Sequence, residues 1–81
     1  MRVQVLYFAA FRDAVGKDAE TRELSDRATV AELWKTLAGQ VPFFARFPVM
    51  PPAAVNREYV EAETALRDGD EVAFLPPVAG G

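Results

Sequence analysis

Residues 29–39 read Thr-Val-Ala-Glu-Leu-Trp-Lys-Thr-Leu-Ala-Gly, and this stretch decides the fold. Thr29 followed three residues later by Glu32 is a capping box: each side chain satisfies a backbone donor that the first turn of a helix leaves unpaired. Val30, Leu33, Trp34 and Leu37 then recur at i, i+3, i+4 and i+7, one face of a helix. The spacing predicts a helix beginning at Val30 and stopped by Gly39. Trp34 falls on the apolar stripe, so it is read as core rather than as a ligand platform. A single amphipathic helix must bury that stripe against something, and the flanking sequence supplies strands.

On the N-terminal side, residues 3–8 (VQVLYF) are β-branched and aromatic, the composition of a strand. Val3, Val5 and Tyr7 would face one way, and Gln4, Leu6 and Phe8 the other. Residues 9–15 suit a short helix stopped by Gly16, and residues 19–24 a second strand antiparallel to the first. Beyond the main helix, residues 42–52 hold four prolines, which predicts an irregular connection. Its phenylalanines are expected to plug the end of the core. Short strands follow at Ala53–Asn56 and Tyr59–Val60 around a turn at Arg57-Glu58. A turn at Leu66–Asp70 and a last strand over residues 71–75 complete the order. One main helix across a mixed sheet is an economical α+β solution, compatible with the β-grasp, or ubiquitin-like, fold.

With 81 residues, of which 51% are hydrophobic, the chain makes one small ordered domain. The net charge of −3, with its basic residues scattered, argues against nucleic-acid binding. There are no cysteines and no histidines, which removes disulfides, thiol catalysis and the commonest general base. The apolar run near the N-terminus is too short to span a membrane and is broken by Arg12 and Asp13, so a cytoplasmic protein without membrane attachment is expected. Asp68, Asp70 and Glu71 match no complete calcium loop and read as a solvated turn, with no metal expected. Arg12, Lys17 and Arg27 are isolated charges. No side-chain constellation for catalysis is present.

The remaining feature is the close of the sequence, Phe74-Leu75-Pro76-Pro77-Val78-Ala79-Gly80-Gly81. Two prolines hold the backbone extended and cannot continue a ladder. Glycine then gives the thinnest chain available. This predicts a domain over residues 1–75 and an extended tail over residues 76–81, suited to insertion into a partner's active site. Strand parity adds that Leu6, Phe8, Ala73 and Leu75 would form an exposed apolar patch if the first and last strands were neighbours.

Residues 53–81, with Val55-Asn56, Leu66, the run Asp68-Gly69-Asp70-Glu71-Val72-Ala73-Phe74, Pro76-Pro77-Val78 and Gly80-Gly81, closely resemble the small subunits of molybdopterin synthase. Residues 5–16 (VLYFAAFRDAVG) resemble the first strand and helix of the same family. The resemblance implies a β-grasp sulfur carrier in molybdenum cofactor biosynthesis. An adenylyltransferase resembling the ubiquitin E1 would use ATP to adenylate Gly81, and sulfur would replace AMP to give a thiocarboxylate. The tail Pro76, Pro77, Val78, Ala79 and Gly80 would enter the large synthase subunit. There the sulfur would pass to cyclic pyranopterin monophosphate, within a heterotetramer of two small and two large subunits. The partner surface implied is Phe8, Tyr59 and Leu75, with Arg12 close by. The chain itself would bind no cofactor and act as a non-catalytic donor. Alternatives of the same shape are a carrier for thiamine or tRNA thiolation, or a ubiquitin-like modifier of proteins.

Overall fold

The computed structural model describes residues 1–76. The elements run β1 (Arg2–Tyr7), α1 (Ala9–Val15), β2 (Ala19–Glu23), α2 (Val30–Gln40), α3 (Pro42–Ala45), β3 (Ala53–Val55), β4 (Glu58–Val60) and β5 (Glu71–Phe74). The strands form one mixed sheet in the order β2-β1-β5-β3-β4, parallel only between β1 and β5. This is the α+β, ubiquitin-like β-grasp arrangement that the sequence predicts.

The start of α2 leaves none of its first donors idle. Val30 N–H donates to the Thr64 carbonyl and Ala31 N–H to that of Ala62, while Glu32 N–H donates to Thr29 Oγ1. Glu32 Oε1 in turn accepts from Thr29 N–H at 3.1 Å, closing the capping box. The first two bonds also pin the 61–66 segment to the helix, and Leu66 is buried beneath it. Thr29→Ala removes the cap, and a loss of about 1 kcal/mol is expected. Urea denaturation with an unchanged slope would show it.

The helix does not stop at Gly39. It continues to Gln40, with Val41 as the cap, its N–H donating to the Leu37 carbonyl. The stop comes from Pro42, which excludes the helical region for the residue before it; Val41 is extended at φ −119° and ψ 108°. Pro42 then opens α3 as its first helical residue, where its missing N–H costs nothing. The expected irregular connection thus holds one helical turn, kept in place by the burial of Phe44. Phe44 stacks on Trp34 with centroids 5.1 Å apart, and Phe11 meets the edge of Trp34 at 5.8 Å. The phenylalanines of this segment do plug the core.

Val3, Val5, Tyr7, Ala53, Val72 and Phe74 form the sheet's contribution to that core, in one cluster with Val30, Leu33, Trp34 and Leu37 of α2. The β3–β4 turn lies one residue earlier than the sequence reading placed it, at Asn56-Arg57, both with positive φ (52° and 73°). Asn tolerates the left-handed region and is a preferred first residue of such a turn. Its side chain also braces β5: Oδ1 accepts from Glu71 N–H and Nδ2 donates to Asp70 Oδ1, both at 3.0 Å.

Candidate docking groove

The face of the sheet opposite α2 carries one side-chain rung across all five strands. In register, Ala19 of β2 lies beside Leu6, Leu6 beside Ala73, Ala73 beside Ala54, and Ala54 beside Tyr59. The two central alanines are short and the flanking Leu6 and Tyr59 are tall. Alternate residues of a strand share a face, so Phe8 and Leu75 join the wall one step along. The result is an open groove of about 410 Å³ lined by these apolar groups, with Arg57 and Glu71 also on its lining. Tyr59 is 74% exposed and Phe8 45%, large for aromatic side chains without a covering element.

Three of the four residues expected at a partner surface, Phe8, Tyr59 and Leu75, therefore meet in one place. The patch inferred from strand parity, Leu6, Phe8, Ala73 and Leu75, is present because β1 and β5 are neighbours. Arg12 is not part of the groove lining; it sits in the last turn of α1, with Nε 3.9 Å from Asp18 and 4.0 Å from Asp13. Sequence reading missed Ala54, Arg57 and Glu71. The signal for Ala54 lay in the Asn56 turn: placing the turn a residue late pairs Tyr59 with Asn56 instead of Ala54. Leu75 closes the groove, its N–H donating to the Pro52 carbonyl at 2.9 Å. Pro76 follows it, and Pro77, Val78, Ala79, Gly80 and Gly81 lie outside the described residues.

The groove offers one guanidinium, one carboxylate and one phenol among apolar groups. Neither Arg57 nor Glu71 forms an ion pair with another described residue. The groove thus combines an apolar wall with two charges that no described residue pairs. The turn carboxylates are already occupied: Asp68 Oδ1 accepts from Arg2 N–H at 2.7 Å and Asp70 Oδ2 from Arg67 N–H at 2.8 Å.

The perturbed titrating groups lie elsewhere, at the β1–β2 edge of the core. Tyr7 is buried and its hydroxyl donates to Glu20 Oε2. Burial, then that hydrogen bond, pushes the Tyr7 phenol above its ordinary range. Burial alone would raise Glu20, but Tyr7, Arg22 and Lys17 outweigh it and hold its carboxyl below the ordinary range. Glu20 is saturated by these partners, so the cluster is structural. A lowered folded-state value means that stability is present above the unfolded carboxylate range and is lost as pH falls through the folded one. Tyr7→Phe is expected to cost about 1 kcal/mol at neutral pH. That difference should shrink in acid below pH 4.5, the ordinary value of the group. Denaturant midpoints of both proteins from about pH 3 to about pH 7, a range that brackets the ordinary carboxylate value, would show it.

Comparison with known proteins gives a consistent answer. The ThiS family matches residues 5–81. The molybdopterin synthase sulfur carrier subunit of Escherichia coli (strain K12) is 43% identical, over 98% of this chain and 99% of the relative. Small archaeal modifier protein 3 of Haloferax volcanii is 35% identical, over 100% of each chain. The solution structure of the Haloferax volcanii HVO 2177 protein superposes with a TM-score of 0.90 at 32% identity, covering 100% of this chain and 87% of that one.

Proposed function

The chain belongs to the ThiS family, and from that premise we propose that it is the sulfur carrier subunit of a molybdopterin synthase. The observation that carries this reading is the full-length similarity to a relative bearing that name. The groove supports it, because Leu75 at its edge is also the root of the tail.

In this reading the functional group is the backbone carboxylate of Gly81. A carboxylate is a poor acyl donor because oxide would have to leave. An E1-like adenylyltransferase therefore activates it: a Gly81 oxygen attacks the α-phosphorus of ATP, pyrophosphate leaves, and an acyl adenylate forms. A sulfur nucleophile then attacks the carbonyl carbon. The carbon–oxygen bond to AMP breaks, and a thiocarboxylate remains. Its soft sulfur bonds to a side-chain carbon of cyclic pyranopterin monophosphate in the large synthase subunit, and an oxygen substituent of that carbon leaves with the electron pair. Water then cleaves the acyl carbon–sulfur bond, which leaves the sulfur on the pterin and returns the Gly81 carboxylate. Two such rounds build the dithiolene, in a heterotetramer of two carriers and two large subunits. Pro76, Pro77, Val78, Ala79 and Gly80 are the segment threaded into each partner.

Phe8, Tyr59 and Leu75 supply the apolar docking surface, with Arg12 at its periphery. None of these steps asks for a cysteine, histidine, metal or resident cofactor in the carrier, and ATP is the activating enzyme's substrate. The setting is the cytoplasm; no helix among the described residues is long and apolar enough to cross a membrane. The test is intact mass after incubation with adenylyltransferase, ATP and a sulfur source. The expected gain is that of one oxygen replaced by sulfur, and copurification of the large subunit distinguishes this pathway from thiamine or tRNA thiolation. The name of the archaeal relative favours a second reading, protein modification, in which the same activated glycine is passed to an amine.

A further inference from the structure

The acyl adenylate at Gly81 is open to any unprotonated amine, and the structure distinguishes sharply among the amines of the carrier itself. Of nine basic residues only two, Lys17 and Lys35, are lysines. The others are arginines, whose guanidinium stays protonated and is no nucleophile. The α-amino group of Met1 makes a third amine.

Two of the three are held. The Met1 amino group donates to the Leu24 carbonyl at 2.8 Å and lies 3.6 Å from Asp26 Oδ1. Lys17 Nζ lies 3.5 Å from Glu20 Oε1, within the cluster built on Tyr7. Lys35 is exposed in the middle of α2 and forms no ion pair with a described residue. Its carboxylate neighbour one turn back, Glu32, is committed to the capping box. The other residues at helical spacing are Ala31, Ala38 and Gly39, and a Cβ built on Gly39 would meet nothing within 4 Å. The approach to Lys35 is open.

Its place in the fold matters equally. The stripe of α2 packs on the sheet face made by Val3, Val5, Val72 and Phe74. The groove lies on the reverse face, through Leu6, Ala54 and Ala73. A partner seated in the groove therefore leaves Lys35 uncovered on the far side of the molecule.

We infer that Lys35 is the carrier's own acylation site: when sulfur is lacking, it accepts the activated Gly81 of a second copy in an isopeptide bond. The inference rests on the sulfur-carrier reading above, through the adenylate. The unprotonated Nζ attacks the Gly81 carbonyl carbon and a carbon–nitrogen bond forms. The carbon–oxygen bond to AMP breaks, AMP leaves with the electron pair, and a proton goes to solvent. The carrier thereby becomes its own modification target, in competition with sulfur for one intermediate.

The experiment incubates the full chain with an E1-like adenylyltransferase and ATP, with and without sulfide, while ATP–pyrophosphate exchange reports activation. Without sulfide the expected product has the mass of two chains less one water. Trypsin should release from it a branched peptide joining residues 68–81 to residues 28–46 through Lys35. Lys35→Arg should lower the product at least ~10-fold, and Lys17→Arg, which keeps the charge, should leave it within about twofold. Sulfide should suppress it. Limited labelling by acetyl N-hydroxysuccinimide, which needs no enzyme, should mark Lys35 ahead of Lys17 and the Met1 amino group. A bond at either of those amines, or exchange without any dimer, overturns the inference while sparing the carrier reading. Absence of exchange sinks both.

Discussion

A chain carrying one added alanine after Gly81 is expected to take up no measurable sulfur while unfolding like the wild type. Adenylation needs a free carboxylate at the position the activating site is built to hold. The extension turns the Gly81 carboxylate into an amide and sets the new carboxylate one residue further on, about 3.5 Å along an extended chain. Misplacement by about 1 Å costs on the order of 100-fold in reactions governed by positioning, so the loss should exceed that. The added methyl group also thickens a tip that glycine keeps bare. Stability should not change, because every residue of the described core precedes Leu75. Intact mass after the sulfur-transfer incubation and a thermal melt check the two halves together. An extended chain that is thiolated normally would remove Gly81 from its assigned role.

Phe8→Asp should separate docking from folding. Phe8 lies on the groove wall and is also the N-cap of α1, with extended φ and ψ of −124° and 151° and no side-chain cap. Aspartate is among the best N-cap residues and suits the positive end of a helix. The fold should therefore hold, and the cap can add up to about 1 kcal/mol. Docking should suffer, because a charge replaces an exposed aromatic wall in an apolar groove. An interface anchor of this type contributes about 2 kcal/mol or more, and burying an unpaired carboxylate adds to the loss. A fall in affinity for the large subunit of about 100-fold, near 2.7 kcal/mol, is expected. Titration calorimetry with both partners measures it, and Arg12→Ala, outside the groove lining, should change affinity far less. Equal losses from the two variants would contradict the groove as the principal contact.

Much of this was legible in the residues. The capping box at Thr29 and Glu32 and the stripe through Leu37 gave α2 its start and its face. Period-two alternation assigned Val3, Val5 and Tyr7 to the core and Leu6 and Phe8 to the other face. The errors were local and have local causes. Gly39 looked like a helix stop, but the steric reach of Pro42 back onto Val41 sets the end. Four prolines hid α3 because Pro42 falls at the one helical position that accepts it. No glycine marks the β3–β4 turn, so local sequence points to Arg57-Glu58, whereas Asn56 and Arg57 adopt the left-handed region.

What the sequence determined by itself was therefore the fold class and the inward and outward sets of the first and last strands. Those follow from local sterics and periodicity, which act over a few residues. Tertiary structure decided which outward residues become one surface. Leu6 and Ala73 are 67 positions apart and touch only because β5 inserts parallel to β1, bringing the β3–β4 hairpin with it. It also decided which amine stands free, since Lys17 and Lys35 look alike until Glu20 is seen beside only one of them. Strand order is not encoded locally, because it is fixed by how the buried face closes around α2. The Lys17–Glu20 pair spans only three residues, and the fold supplies the chain path into β2 that lets the two meet.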